Sequence, residues 1–216
     1  MSDYKKDFSK HIPAKEITKV EMVWDSLASQ LDKENKKYIY GAVKHGGRAK
    51  EFENAIKWLE DAGLIYRVKR VKKVAMPIGF YEDFGSFKLF MSDIGLLCAS
   101  INVPAKELFI SDNVLMEYKG ALTEQYVCQQ IVGEDVEPYY YSNNNSTLEI
   151  DFVIQTNKVY PIEVKAEENL MSKSLKSIFN QTGLKGWRFS MSGYRVQEWM
   201  VNVPLYMVEQ WIEDNY

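Results

Sequence analysis

Two acidic residues and a lysine in the segment EIDFVIQTNKVYPIEVK, residues 149–165, are the side chains of this sequence best suited to chemistry. Read as two strands joined by a turn at residues 156–158, the segment places Asp151 directly opposite Glu163. Lys165 lies two residues after Glu163 and therefore on the same face of its strand. Like charges that face each other across a hairpin destabilise it, so this pair needs a counter-charge.

A divalent metal ion would supply that counter-charge, because two carboxylates a few ångströms apart require a cation or a shared proton. Carboxylate oxygens suit Mg²⁺, which keeps several waters and binds one or two carboxylates together with a substrate phosphate. A lysine beside them could orient an attacking water or stabilise charge on a phosphate. The three residues predict a phosphodiesterase site. The alternative is a solvated hairpin with mixed charges on its outer face, a common pattern on antiparallel sheets.

Helices and strands alternate along the part of the chain that contains this hairpin, which predicts an α/β domain over residues 86–216. Alternation along the first strand of the hairpin would put Asp151 and Val153 on one face. The remaining predicted elements are strands at 86–93, 138–142 and in GWRFSMS, helices in IGLLCASINV and at 113–133 and 172–183, and a short last element in PLYMVEQW.

The first third of the chain predicts three helices followed by a strand. Apolar residues at helical spacing mark residues 15–31, a short helix is predicted at 36–44, and a third helix ends at Gly63. The strand LIYRVKRVKKVA follows at once. This order is the winged-helix pattern and predicts such a domain over residues 1–74. Residues 75–85, with Pro77 among them, are the predicted connector.

A run of basic residues is the second feature of the sequence that suggests a function. Residues 67–73, RVKRVKK, hold five basic side chains in seven, and Arg48 begins the third helix. On a wing strand these cations could follow a nucleic-acid backbone without reading its sequence. The alternative is an exposed edge strand that its charges protect from aggregation. The nucleic-acid candidates are Arg48, Arg67, Lys69, Arg70, Lys72 and Lys73.

Composition sets outer limits on function. The 216 residues carry a net charge of −3, so any contact with nucleic acid must come from a local patch. The first residues lack the apolar core of a secretion signal, and no apolar run approaches the length of a membrane helix. We therefore expect a cytoplasmic protein that has no membrane partner and whose two cysteines, Cys98 and Cys128, are buried free thiols.

Several segments together resemble a known family. The spacing of Asp151, Glu163 and Lys165 is similar to the metal-binding signature of the PD-(D/E)XK nuclease-like superfamily. KGALTEQYV, YYYSNNNSTLEIDFVI, VYPIEVKAEENLMSKSLKSI and FKLFMSDIGLL resemble the C-terminal region of bacterial and archaeal AAA-type ATP-binding proteins. That region holds a domain of unknown function with a restriction-endonuclease-like core. SQLDKENKKYIYGAVKHGGRAKEFENAIKWLEDAGLI looks like the winged-helix segment before it.

The resemblance implies a role for each residue that matches the family pattern. Asp151 takes the place of the central metal ligand, and Glu163 with Lys165 takes the place of the E-x-K pair. Glu124 matches an acidic residue in the helix that precedes the hairpin, where the alternative is a solvated helix glutamate. The possible cofactor is Mg²⁺, held by Asp151, Glu163 and Glu124.

Two departures from the family limit what the resemblance implies. No proline precedes Asp151, which leaves catalytic competence open. The G-x-x-x-x-G-K-[ST] loop that such ATPases use for phosphate is missing, so no ATP binding or hydrolysis is expected from this chain, and the upstream ATPase module is missing as well. Two hypotheses result: a metal-dependent nuclease acting on DNA or RNA, and a non-catalytic module that binds DNA or protein for an ATPase.

Overall fold

The protein is described by a computed structural model that covers residues 12–31, 36–101, 112–166 and 171–215, without the side chains of 112–117. Its internal contacts fall into two units. The helical unit comprises residues 1–67 and 88–118, and the sheet unit comprises residues 68–87 and 119–216. The predicted connector, residues 75–85, lies within the sheet unit.

The helical unit has the helix order that the sequence predicts. Its helices include α1 (Ala14–Leu31), α2 (Tyr40–Val43), α3 (Ala49–Asp61) and α4 (Ile94–Ser100). The apolar stripe of α1 packs against that of α3, and both are fully buried. The predicted glycine stop of α3 is confirmed: Gly63 has φ +66°, and the Leu64 N–H donates to the Leu59 carbonyl at 3.0 Å.

The sheet unit is built on a mixed sheet of eight strands, which confirms the α/β class. The strands are β1 (Ile65–Val71), β2 (Glu82–Met91), β3 (Tyr139–Ser142), β4 (Glu149–Gln155), β5 (Val159–Lys165), β6 (Gly186–Ser190), β7 (Arg195–Val196) and β8 (Met200–Pro204). Their order across the sheet is β2-β1-β3-β4-β5-β6-β8-β7. The pairs β1/β3, β5/β6 and β6/β8 are parallel, and the pairs β3/β4, β4/β5 and β7/β8 are antiparallel.

Helices of this unit include α5 (Asp112–Gly133), α6 (Lys173–Thr182) and α7 (Val208–Asn215). A short 3₁₀ turn, Leu205–Met207, leads into α7. Helix α6 begins at the cap Ser172, whose Oγ accepts the Leu175 N–H, and it ends before Gly183 at φ +73°. Both boundaries agree with the helix predicted over 172–183.

The two faces of the sheet bury different side chains. On one face the buried Leu175 and Ile178 of α6 join a cluster with Val153, Val159 and Met200. On the opposite face Trp211 of α7 packs against three aromatic rings, with centroid distances of 4.7–5.4 Å. Those rings belong to Tyr160, Trp187 and Phe189. The central strands are therefore covered on both sides, as parallel strands require.

Three details of the sheet differ from the sequence prediction, one of which is that the short strand β7 was not predicted. Strand β2 starts at Glu82, inside the predicted connector. Strand β8 was not predicted at all, although all five of its residues are buried.

Neither cysteine forms a disulfide, as predicted, but the prediction that both are buried is wrong: Cys128 is buried, whereas Cys98 is partly exposed. Within the described ranges, no helix is both long and apolar enough to cross a lipid bilayer.

Candidate functional site

The hairpin of β4 and β5 has the register that its turn length predicts. Phe152 lies opposite Ile162, Val153 opposite Pro161, and Gln155 opposite Val159. The turn is closed by the Thr156 N–H, which donates to the Lys158 carbonyl at 3.1 Å. The register ends at Phe152 and Ile162, so Asp151 and Glu163 each lie one residue beyond its last pair.

The strict alternation predicted along β4 is wrong, because the strand is irregular between Ile150 and Val153, the stretch that contains Asp151. Tyr139 of β3 lies opposite Val153, whereas Tyr141 lies opposite Ile150. Two steps along β3 therefore match three steps along β4, which is the signature of a β-bulge. Ile150 and Val153 consequently share one apolar cluster, although they are three residues apart. A bulge at this position changes the direction of the Asp151 side chain.

The Asp151 carboxylate binds the backbone of the neighbouring strand. Its Oδ2 atom accepts the Val164 N–H at 2.8 Å. In a regular ladder that N–H would face a backbone carbonyl of β4, so the carboxylate takes the place of a ladder hydrogen bond. A backbone donor next to the carboxylate favours its charged form. The bulge and this hydrogen bond explain how the chain accommodates Asp151 beside Glu163.

Glu163 is the buried member of the pair, with 7% of its surface exposed. Its Oε1 atom lies 3.7 Å from Lys165 Nζ, and the lysine side chain is 42% exposed. Its Oε2 atom is buried and has no hydrogen-bond partner among the residues that the structure describes. An unsatisfied buried oxygen of a charged group is costly, and it marks a position where a ligand or ordered water belongs.

Arg188 is a site residue that the sequence analysis missed. It lies beside Glu163 in the parallel register of β5 and β6, and its side chain is fully buried. Its Nε donates to Asn202 Oδ1 at 2.9 Å, while Nη1 and Nη2 have no hydrogen-bond partner within the described ranges. Burial lowers the pKa of Arg188, and the negative charge of Glu163 opposes that shift.

Asn202 fixes the position of the Arg188 side chain. Its Nδ2 donates to the carbonyls of Ser192 and Gly193 at 3.0 and 2.9 Å. Its Oδ1 therefore points toward β6, where it also accepts the Ser190 hydroxyl at 2.7 Å. Glu163, Arg188 and Asn202 are direct neighbours across three parallel strands, so the site contains a buried polar row as well as the hairpin.

The fit of a metal ion depends on the carboxylates. In the part of the chain that the structure describes, no group of three or more His, Cys, Asp and Glu side chains is arranged to hold a metal. Glu124, on α5, is 7% exposed, and its role as a third ligand stays a prediction. Mg²⁺ commonly binds one or two carboxylates and keeps its waters, and Asp151 and Glu163 are ligands of that kind. The buried Oε2 of Glu163 is a suitable ligand atom.

Three of the predicted nucleic-acid contacts are occupied by acidic partners of the same chain. Arg67 pairs with Glu53 and Glu60 at 3.1 and 2.9 Å. Lys69 lies 3.3 Å from Glu82 and 3.4 Å from Glu137. The Arg70 Nε donates to Asp83 at 2.8 Å. These pairs offset most of the charge of the basic strand.

The other three predicted contacts are exposed. Arg48 directly precedes α3 in the helical unit, whereas Lys72 and Lys73 follow β1 in the sheet unit. The Lys73 Nζ lies 5.5 Å from the ring centroid of Tyr81 and is still accessible to solvent. The cationic surface of β1 is therefore smaller than its sequence predicts.

Two family models match this chain, and both describe domains of unknown function. Residues 2–107 match the model described as Domain of unknown function (DUF8612). Residues 119–206 match the model described as Domain of unknown function (DUF4143). No curated protein and no solved structure gives a significant match. The second match contains Asp151, Glu163, Lys165 and Arg188.

Proposed function

We propose that this chain is the C-terminal part of an AAA-type ATPase, with a winged-helix module and a restriction-endonuclease-like domain. The order of α1, α2 and α3 before β1 and β2 supports the winged helix. A mixed sheet with helices on both faces supports the nuclease-like domain. The resemblance of the sequence segments to such ATPases supports their combination in one protein.

We further propose that the sheet unit is a magnesium-dependent nuclease that hydrolyses phosphodiester bonds in DNA or RNA. The observation that carries this proposal is the geometry around Glu163. The buried carboxylate of Glu163 has one unsatisfied oxygen and lies beside Lys165. Glu163 and Asp151 are each the next residue after the last pair of the hairpin register, Phe152 and Ile162. A structural ion pair alone does not require this combination of burial, irregular strand and half-exposed lysine.

Each residue has a defined task in this proposal. Asp151 and Glu163 would hold the metal, which supplies a Lewis acid for the phosphate and an activated water. The Val164 N–H holds the Asp151 carboxylate by a hydrogen bond of 2.8 Å. Lys165 is exposed enough for its ammonium group to contact a phosphate oxygen or the attacking water. Glu163, whose Oε1 lies 3.7 Å from Lys165 Nζ, would orient that ammonium group. Glu124 would assist from α5.

Cleavage of supercoiled plasmid, single-stranded DNA and RNA with Mg²⁺ or Mn²⁺ tests the proposal. The variants are Asp151→Asn and Lys165→Met, and the matched control is Lys158→Met in the exposed turn of the same hairpin. We expect the two site variants to lose about 100-fold or more of the rate, because each removes charge stabilisation at the phosphate. The control should keep full activity. Cleavage that survives both site substitutions contradicts the proposal.

A second candidate is a non-catalytic module that binds DNA or a protein partner. The ion pair of Lys165 with Glu163 favours it, as do the three basic residues of β1 that are already paired. Thermal unfolding with and without Mn²⁺ separates the candidates. A nuclease site should raise the melting temperature with Mn²⁺, and Asp151→Asn should abolish that rise. Absence of both a thermal shift and cleavage favours the module.

A further inference from the structure

A pocket of about 460 Å³ lies within the sheet unit, at the turn of the β4–β5 hairpin. Three segments line it: residues 73–76 after β1, residues 157–159 at the turn, and residues 181, 182 and 184 at the end of α6. Small-molecule sites commonly measure about 300–1,000 Å³. Val159 precedes Glu163 by four residues on β5, which is roughly 13 Å along a strand. The pocket is therefore separate from the candidate nuclease site.

The pocket carries two positive charges that no acidic side chain of the described residues offsets. Its described lining includes Lys73 and Lys158 and no acidic residue. The Lys73 Nζ lies 5.5 Å from the ring centroid of Tyr81, and the Lys158 Nζ lies 5.0 Å from that of Tyr160. A neutral ring holds an ammonium group in place without cancelling its charge. The two lysines thus differ from the paired cations of β1.

The end of helix α6 does not account for these lysines. A helix C-terminus attracts cations to its free carbonyls. Here the Gly183 N–H donates to the Phe179 carbonyl at 2.8 Å. The Thr182 hydroxyl donates to the Ile178 carbonyl at 2.7 Å. Within the described part of the chain, neither lysine donates a hydrogen bond to α6, so both ammonium groups are left for a ligand.

The inner side of the pocket is apolar. Val74 and Val159 are buried members of the cluster beneath α6, and Leu184 packs against that cluster. Lys73 and Lys158 are exposed and therefore lie at the mouth. Apolar surface inside and cations outside favour a ligand that has an apolar body and an anionic end.

We propose that this pocket binds a small phosphate monoester whose organic part is apolar or aromatic. A phosphate monoester carries about 1.5 to 2 negative charges at pH 7, which matches two ammonium groups better than a carboxylate does. Lysine commonly binds phosphate as a point charge. The site uses neither a metal ion nor the carboxylates of Asp151 and Glu163, so it does not depend on the proposed nuclease.

Isothermal titration calorimetry in EDTA with naphthyl phosphate tests this proposal. Naphthol supplies the apolar body alone, inorganic phosphate supplies the charge alone, and naphthoate carries a single charge on the same body. We expect naphthyl phosphate to bind roughly tenfold more tightly than each of the other three. Lys73→Met and Lys158→Met should each weaken its binding roughly tenfold. Lys176→Met, on the exposed side of α6 and outside the pocket lining, is the matched control and should leave the affinity unchanged.

Two further variants separate the pocket from other sources of affinity. Ala75→Leu fills the pocket without changing its charge and should weaken binding, whereas Lys165→Met at the candidate nuclease site should not. Melting temperatures show whether each variant is folded. Equal affinity for naphthol or naphthoate, a loss with Lys165→Met, or absence of binding would overturn the proposal. The cleavage assay contains no phosphate monoester, so Lys158→Met remains a valid control there.

Discussion

At the scale of single residues, the buried neighbours Glu163 and Arg188 dominate the candidate site. Arg188 is fully buried, and its guanidinium makes one hydrogen bond, to Asn202, among those within the described ranges. A buried charge that loses its counter-charge costs several kcal/mol, whereas loss of both charges is often tolerated. The guanidinium of Arg188 therefore supplies positive charge beside the buried carboxyl group of Glu163.

This pairing predicts a specific pattern in a double-mutant cycle. Arg188→Met should lower the free energy of unfolding by about 1–3 kcal/mol, because it removes the buried positive charge beside Glu163 and leaves only the half-exposed Lys165 near that carboxylate. Glu163→Gln in the Arg188→Met background should recover a large part of that loss. Urea titrations followed by circular dichroism measure all four corners of the cycle.

The control for this cycle is Arg195→Met, since Arg195 is exposed on β7 and also lies next to Asn202. Its effect should remain below about 0.5 kcal/mol. Additive losses from Arg188→Met and Glu163→Gln would mean that the two charges do not interact.

Residue-level prediction from the sequence succeeded where local rules decide the outcome. The turn length at 156–158 determined the register of the hairpin up to the pair of Phe152 and Ile162, because a hairpin is a local structure. Arg188 could not be found in this way, since its place beside Glu163 depends on a parallel pairing with α6 in between. The bulge at Asp151 was also missed, because it arises from the pairing with β3.

At the scale of elements, helix α6 approaches β6 closely at one glycine. A Cβ atom built on Gly186 would lie 2.9 Å from the Leu175 Cβ and 2.7 Å from its Cδ2. Contacts this short cannot be relieved by a side-chain rotation alone, because one of them is to a Cβ atom. The glycine therefore sets the distance between α6 and the sheet.

Gly186→Ala should consequently destabilise the protein by about 1–3 kcal/mol through overpacking. A second substitution, Leu175→Ala, should lose less stability in the Gly186→Ala background than in the wild type. Gly193→Ala is the matched control, because nothing lies within 4 Å of the added atom. Thermal melts of the four variants test this, and equal melting temperatures for Gly186→Ala and Gly193→Ala would contradict it.

Most elements were predictable because their patterns are local, and the exceptions have physical reasons. The helix over 172–183 has both its capping serine and its terminal glycine in the sequence. Strand β8, with the sequence MVNVP, contains an asparagine and a proline, which are rare in strands. Asn202 accepts hydrogen bonds from Arg188 and Ser190 of the neighbouring strand, and a pattern of residues along β8 cannot predict such contacts.

At the scale of the whole molecule, the sheet unit is assembled from two separate stretches of chain. The second family match begins at residue 119, whereas the unit also includes residues 68–87. Those residues add strand pairs between β1 and β3. They also contribute Val71, Val74 and Ile78 to the apolar cluster around α6.

A fragment of residues 119–216 should therefore fail to fold cooperatively, although it spans the whole second family match. It loses three members of the apolar cluster and exposes the edge of β3. A fusion that joins residues 68–87 to 119–216 through a Gly/Ser linker should recover a single urea transition. Cooperative unfolding of the shorter fragment, with the slope expected for its length, would show that the first stretch is dispensable.

The discontinuous sheet unit has a consequence for synthesis on the ribosome. β1 is complete once Val71 has emerged, but β3, its partner in the sheet, begins only at Tyr139. At about 5–20 residues per second, translation leaves that edge waiting for several seconds. Basic side chains on a strand discourage pairing with another nascent chain. We therefore expect the RVKRVKK segment to keep an early strand available for a late partner during translation, without any contact to nucleic acid.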